Sequence, residues 1–133
     1  MSKWSEIEHM TAAAQTFAKR TRVAEIAVFM DMVMPRLIDT AKICGYALGV
    51  HGSQARDLDI IACPWTEQAV DAEELVKRLA ATCREATGWG YQNGHKWTDK
   101  PHGRRAITIV GSSDVHLDLS VMPLLPTGNS DDE

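Results

Sequence analysis

Apolar positions change their period along this chain, and each change marks an element. Over residues 4–33 they recur at helical spacing, as in Val23, Ile26, Ala27, Met30 and Val33 or Met34. Ser5 stands where an N-cap would, and Ala12-Ala13-Ala14 is a run of high helix propensity. Val28, Phe29 and Met32 spread the apolar character further round the cylinder. A helix greasy on more than one side packs inside a core or meets a second copy, so a homodimer through the N-terminal helices is one expectation. Pro35 predicts a kink or the opening of a second helix over 35–44, carrying Leu37, Ile38, Ala41 and Ile43. Gly45 supplies a left-handed stop.

The period then drops to two. Residues 46–51 predict a strand with Tyr46, Leu48 and Val50 on one face and Ala47, Gly49 and His51 on the other. Residues 57–63 predict the next strand, ended by Pro64. Helical spacing returns over 66–87, where Asp71 followed by Glu74 resembles a capping box and Gly88 closes the segment. Residues 88–103, rich in glycine, aromatic and charged side chains, read as a long loop, with Lys96 and Trp97 placed to form a lid. Strands follow over 104–111 and 115–122, with Ile107 and Ile109, then Val115, Leu117, Leu119 and Val121, on the apolar face. The pattern predicts an α+β fold: a small mixed or antiparallel sheet with helices packed on one face. The opposite face, open to solvent, can hold Asp57, Asp59 and Asp118 together. One domain is expected over 1–133, with an N-terminal helical extension (1–34), a core (35–123) and a flexible acidic tail (124–133).

Composition adds exclusions. The net charge of −4 gives no global attraction to nucleic acid or anionic lipid. Three scattered cysteines, Cys44, Cys63 and Cys83, have no metal-site spacing and suit reduced thiols in a cytoplasmic protein. The N-terminus lacks the pattern of a signal peptide, and Asp31, Pro35, Arg36, Asp39 and Lys42 interrupt the most apolar stretch, so no membrane contact is expected.

The candidate chemistry lies in residues 46–63. Asp57 and Asp59 share one side of an extended chain about 7 Å apart, and such a pair repels unless water or a cation stands between. Alone, the pair also suits an exposed turn; Gly52-Ser53 before it and Asp118 on a later strand favour a metal or substrate site. His51, His102 and His116 are candidate acid–base groups or ligands, and Trp65 and Trp97 candidate stacking surfaces, although core or interface packing suits Trp65 better. Ser53 has no His–Asp partners at suitable spacing and is not read as a nucleophile.

Gly52-Ser53, Asp57-Leu58-Asp59 and the later Asp118 resemble the nucleotidyltransferase superfamily of DNA polymerase beta type. More narrowly, Gly49-Val50-His51-Gly52-Ser53, Pro64-Trp65, Pro101-His102-Gly103-Arg104-Arg105-Ala106 and Asp118-Leu119-Ser120-Val121-Met122-Pro123 are similar to small uncharacterised phage and prophage proteins. The resemblance covers roughly residues 35–123. It implies a nucleotidyltransferase-like fold in the cytoplasm of a bacterial host. It also implies transfer of a nucleotidyl group from a nucleoside triphosphate to an unknown acceptor. Asp57, Asp59 and Asp118 would be catalytic and hold Mg2+ (or Mn2+), with Asp118 drawing the acceptor's proton. Gly52, Ser53 and Arg56 would bind the nucleotide. Only Gln54, Ala55 and Arg56 separate Gly-Ser from Asp-x-Asp, a shorter link than the superfamily uses for its phosphate grip, so Lys96, Lys100, Arg104 and Arg105 are further candidates for phosphate contacts. The same truncation admits a non-catalytic member that binds a nucleotide or a protein partner; a metal-dependent phosphohydrolase is a third reading.

Overall fold

Among the described residues, the first helix begins where Thr11 turns its hydroxyl back to accept the Ala14 N–H at 3.2 Å. The computed structural model describes residues 11–52, 57–94, 96–111 and 115–126. Ser5 and the first turns expected from residue 4 lie outside these residues, as do positions 127–133 of the tail. Helix α1 (Ala12–Cys44) continues through Pro35, so no second helix opens there. Pro35 has no N–H to give the Asp31 carbonyl, and both residues lie on the exposed side of the helix, away from the core. The buried stripe is Ile26, Phe29, Val33, Leu37, Ala41 and Cys44, while Phe17, Val23, Val28 and Met32 are exposed. Gly45 ends the helix at φ 92°, its N–H turned back to the Ala41 and Lys42 carbonyls.

Strands β1 (Tyr46–His51) and β2 (Leu58–Pro64) form an antiparallel pair, with Pro64 the last residue of β2 rather than the first beyond it. Helix α2 (Ala72–Thr87) starts later than the residue-66 onset expected. The N–H groups of Trp65 and Val70 are committed to the Gly45 and Cys44 carbonyls, which holds 65–70 as a turn against the end of α1. Asp71 caps α2 by accepting the Glu74 N–H at 2.8 Å, and Gly88 closes it.

The stretch read as a long loop contains β3 (Tyr91–Asn93), β4 (Thr98–Asp99) and a short 3-10 turn (Pro101–Gly103). Both strands pair with β5 (Arg105–Gly111), which in turn pairs with β6 (Leu117–Val121). The sheet runs β1-β2-β6-β5-β3 with β4 alongside β5; β2 and β6 are parallel and the other pairs antiparallel. The described residues thus form a mixed α+β fold of two α-helices and a six-stranded mixed sheet.

One core joins the helices to one sheet face. Leu58, Ile60 and Ala62 of β2, Ile107 and Ile109 of β5, and Leu117, Leu119 and Val121 of β6 are buried against the α1 stripe and Leu75, Val76 and Leu79 of α2. Thr40 and Thr82 join the helices through a 2.6 Å hydroxyl contact. Among the described residues no helix is long and apolar enough to cross a membrane.

Candidate functional site

Side chains alternate along a strand, so burying Leu58, Ile60, Leu117, Leu119, Ile107 and Ile109 sends Asp59, Asp118 and Thr108 to the face away from the helices. Register then sets them in one row. His51 of β1 is opposite Asp59 of β2, Asp59 opposite Asp118 of β6, and Asp118 opposite Thr108 of β5. The Thr108 hydroxyl donates to Asp118 Oδ1 at 2.9 Å and fixes that carboxylate's orientation. The Asp59 and Asp118 carboxyl groups lie within hydrogen-bonding reach of one another.

Burial raises the pKa of Asp59 above the ordinary carboxylate range. The negative charges of Asp118 and Asp57 add to the rise, as does the hydrogen bond with Asp118, while His51 opposes it. Without a cation, the ionised form of Asp59 is disfavoured by its burial and by these neighbouring negative charges.

Gly52 closes one end of the row. Its φ is 82°, and a Cβ there would stand 2.5 Å from Asp59 Oδ2. The backbone is therefore laid against the carboxylate, which only glycine permits. Ser53 and Arg56 lie outside the described residues. Asp57, half-buried just before β2, acts on Asp59 through its charge but does not line the cavity above the row. Among the described residues no three His, Cys, Asp or Glu side chains stand together as a metal-binding group.

The cavity measures about 370 Å³. His51, Asp59, Asp118, Thr108 and Ser120 form its polar floor, and Lys96, Thr98, Lys100 and Arg104 its far wall. Arg104 Nη1 donates to Ser120 Oγ at 3.2 Å. Arg105 turns to the other side of the sheet, where it meets Glu73 Oε2 at 2.8 Å and lies 4.2 Å from the centre of the Trp97 ring. Among the residues flagged by the sequence, Asp59, Asp118, His51, Lys96, Lys100 and Arg104 share this cavity; Arg105, His102, His116, Trp65 and Trp97 do not line it. His116 has a structural role, its Nδ1 accepting the Gly111 N–H at 3.2 Å. Trp65 is 58% exposed rather than packed in the core, whereas Trp97 is half-buried against it.

Sequence reasoning missed Thr108 and Ser120. The signal for Thr108 was available, since it alternates with Ile107 and Ile109 and so shares the polar face; Ser120 has the same relation to Leu119 and Val121. Paired carboxylates facing a cationic wall can hold a cation and a polyanion side by side. No family model matches this chain, and no curated protein matches it.

Proposed function

We propose that this chain is a metal-dependent nucleotidyltransferase-like domain that moves a nucleotidyl group from a nucleoside triphosphate to a hydroxyl-bearing acceptor, with release of pyrophosphate. The observation that carries this reading is the transverse row His51–Asp59–Asp118–Thr108 beneath one polar cavity. The donor set fits magnesium. Two hard carboxylates within hydrogen-bonding reach of each other repel when both are ionised, and magnesium needs only one or two carboxylates beside substrate phosphates and water.

Asp59 and Asp118 would hold the ion, which supplies positive charge to the transferring phosphoryl group. Asp57, at the entry to β2, belongs to the ligand set the resemblance implies. Asp118 would take the acceptor's proton, its orientation held by Thr108. Gly52 keeps the Asp59 carboxylate in place and leaves the approach at that end of the row open to phosphate.

The reading is tested by thermal melting with magnesium or manganese and each of the four common nucleoside triphosphates. At least one should raise the melting temperature, and Asp59→Ala should abolish the rise. No shift with any triphosphate would favour the second reading, a non-catalytic domain that binds a nucleotide or protein partner. One observation speaks for that alternative: Asp57 lies outside the cavity lining.

A further inference from the structure

The cavity inverts the charge of the molecule around it. The chain carries a net charge of −4, yet Lys96, Lys100 and Arg104 gather on one wall. None of the three has an ion-pair partner among the described residues. Arg104 is half-buried, and its guanidinium bonds the neutral Ser120 hydroxyl rather than either of the carboxylates that line the same cavity. Arg105, its neighbour in sequence, is by contrast neutralised by Glu73. A half-buried guanidinium with no direct ion pair is suited to a charge-assisted hydrogen bond with an incoming anion.

The wall is also preorganised. The Lys100 N–H donates to the Arg104 carbonyl at 2.8 Å, and the intervening turn places His102 at φ 67°, a left-handed conformation unfavourable for a residue with a Cβ. That turn brings Lys100 and Arg104 together. Lys96 is held from the other side: Trp97 is packed against the core beneath Arg105, and Thr98 pairs with Ala106. The cations lie on the β4–β5 side of the row, whereas His51 forms its β1 end and Gly52 follows His51 in the chain.

We propose that Lys96, Lys100 and Arg104 bind the phosphate of a second ligand, a phosphomonoester, at a subsite separate from the triphosphate. Within the functional reading above, on which its name rests, this ligand is the acceptor. The ester is a free sugar phosphate or nucleotide, or the phosphorylated end of a nucleic-acid strand. The binding subsite itself does not require the transfer reaction.

The test is calorimetric titration of the full chain with ribose 5-phosphate and with a 5′-phosphorylated tetrathymidylate, both without metal. Binding should weaken about tenfold or more in Arg104→Gln and in the double variant Lys96→Gln/Lys100→Gln, whose altered side chains are exposed and leave the fold intact. Asp59→Asn should leave it unimpaired. Equal affinity for the two probes identifies a free phosphate ester, and preference for the oligonucleotide a strand end. Absence of binding to either probe, or equal binding by the cation variants and the parent, would overturn the proposal. Complete competition by magnesium–nucleoside triphosphate would overturn it too, because the wall would then be the donor's own phosphate site. If magnesium–triphosphate fails to bind while the phosphomonoester still does, the transfer reading falls and the phosphate subsite stands.

Discussion

Asp59→Asn should make the metal-free protein more stable at neutral to mildly alkaline pH. The Asp59 pKa is raised chiefly by burial and then by the charge of Asp118, with a smaller rise from Asp57 and an opposing pull from His51. A raised carboxyl pKa means that the folded chain holds this proton more tightly than the unfolded chain. The stabilisation is therefore complete below the ordinary carboxylate range and is lost as pH rises through the elevated folded value. At pH 8 the folded state carries two facing carboxylates, and asparagine removes one charge while keeping shape and hydrogen-bonding capacity. Directly opposed like charges on neighbouring strands cost up to about 1 kcal/mol. For a chain of 133 residues that corresponds to roughly 3–5 °C in melting temperature. Thermal melts followed by circular dichroism in a chelator, from pH 4 to 8, should show the variant's advantage growing as pH rises. Added magnesium should erase that advantage by stabilising the parent alone. A variant less stable than the parent at pH 8, or an advantage independent of pH, would refute the reasoning.

Gly52→Ala should destabilise the fold by about 1–2 kcal/mol from the left-handed backbone alone, and displace Asp59 besides; chemical denaturation measures the first and loss of magnesium response the second. Gly111→Ala should be more damaging, because the new methyl would run into the buried Tyr91 ring, whose hydroxyl bonds the Val115 carbonyl; a fall in the urea midpoint reads this out. Cys63 is exposed, whereas Cys44 is buried and burial pushes the Cys83 thiol up to about 12. One equivalent of fast thiol labelling is therefore expected in the native protein, with Cys44 and Cys83 reacting only on unfolding.

The ends of elements and the faces of strands are legible in the sequence where one physical cause dominates. Gly45 and Gly88 end their helices because a left-handed cap is needed there, and Asp71 caps α2 through a local hydrogen bond. The β6 residues Leu117, Leu119 and Val121 reveal their buried face by alternation alone. Residues 88–103 hide their strands for a different reason. β3 and β4 are three and two residues long, too short for a period, and exist because β5 offers its edge. Pro35 opens no second helix because it lies with Asp31 on the exposed side of α1, where the Asp31 carbonyl that loses its N–H partner is not shut in the core.

The carboxylate pair shows the limit most clearly. Alternation assigns Asp59 and Asp118 to one face, but it is silent on register. A slip of one residue between β2 and β6 would turn Asp118 into the core, which the apolar pattern forbids. A slip of two would keep every leucine buried and yet draw Asp118 about 7 Å away from Asp59. Hydrophobic burial cannot distinguish these arrangements. Polar contacts can: the Leu58 N–H meets the His116 carbonyl at one end of the ladder, the Met122 N–H meets the Ala62 carbonyl at the other, and Thr108 binds Asp118 from β5. A slip of two between β2 and β6 would misplace both end contacts, and it would break the Thr108 bond as well wherever β6 moved past β5. The site therefore depends on polar groups of little use in predicting the fold, and Thr108, which alternation places on the polar face without naming its partner, orients Asp118 within the row.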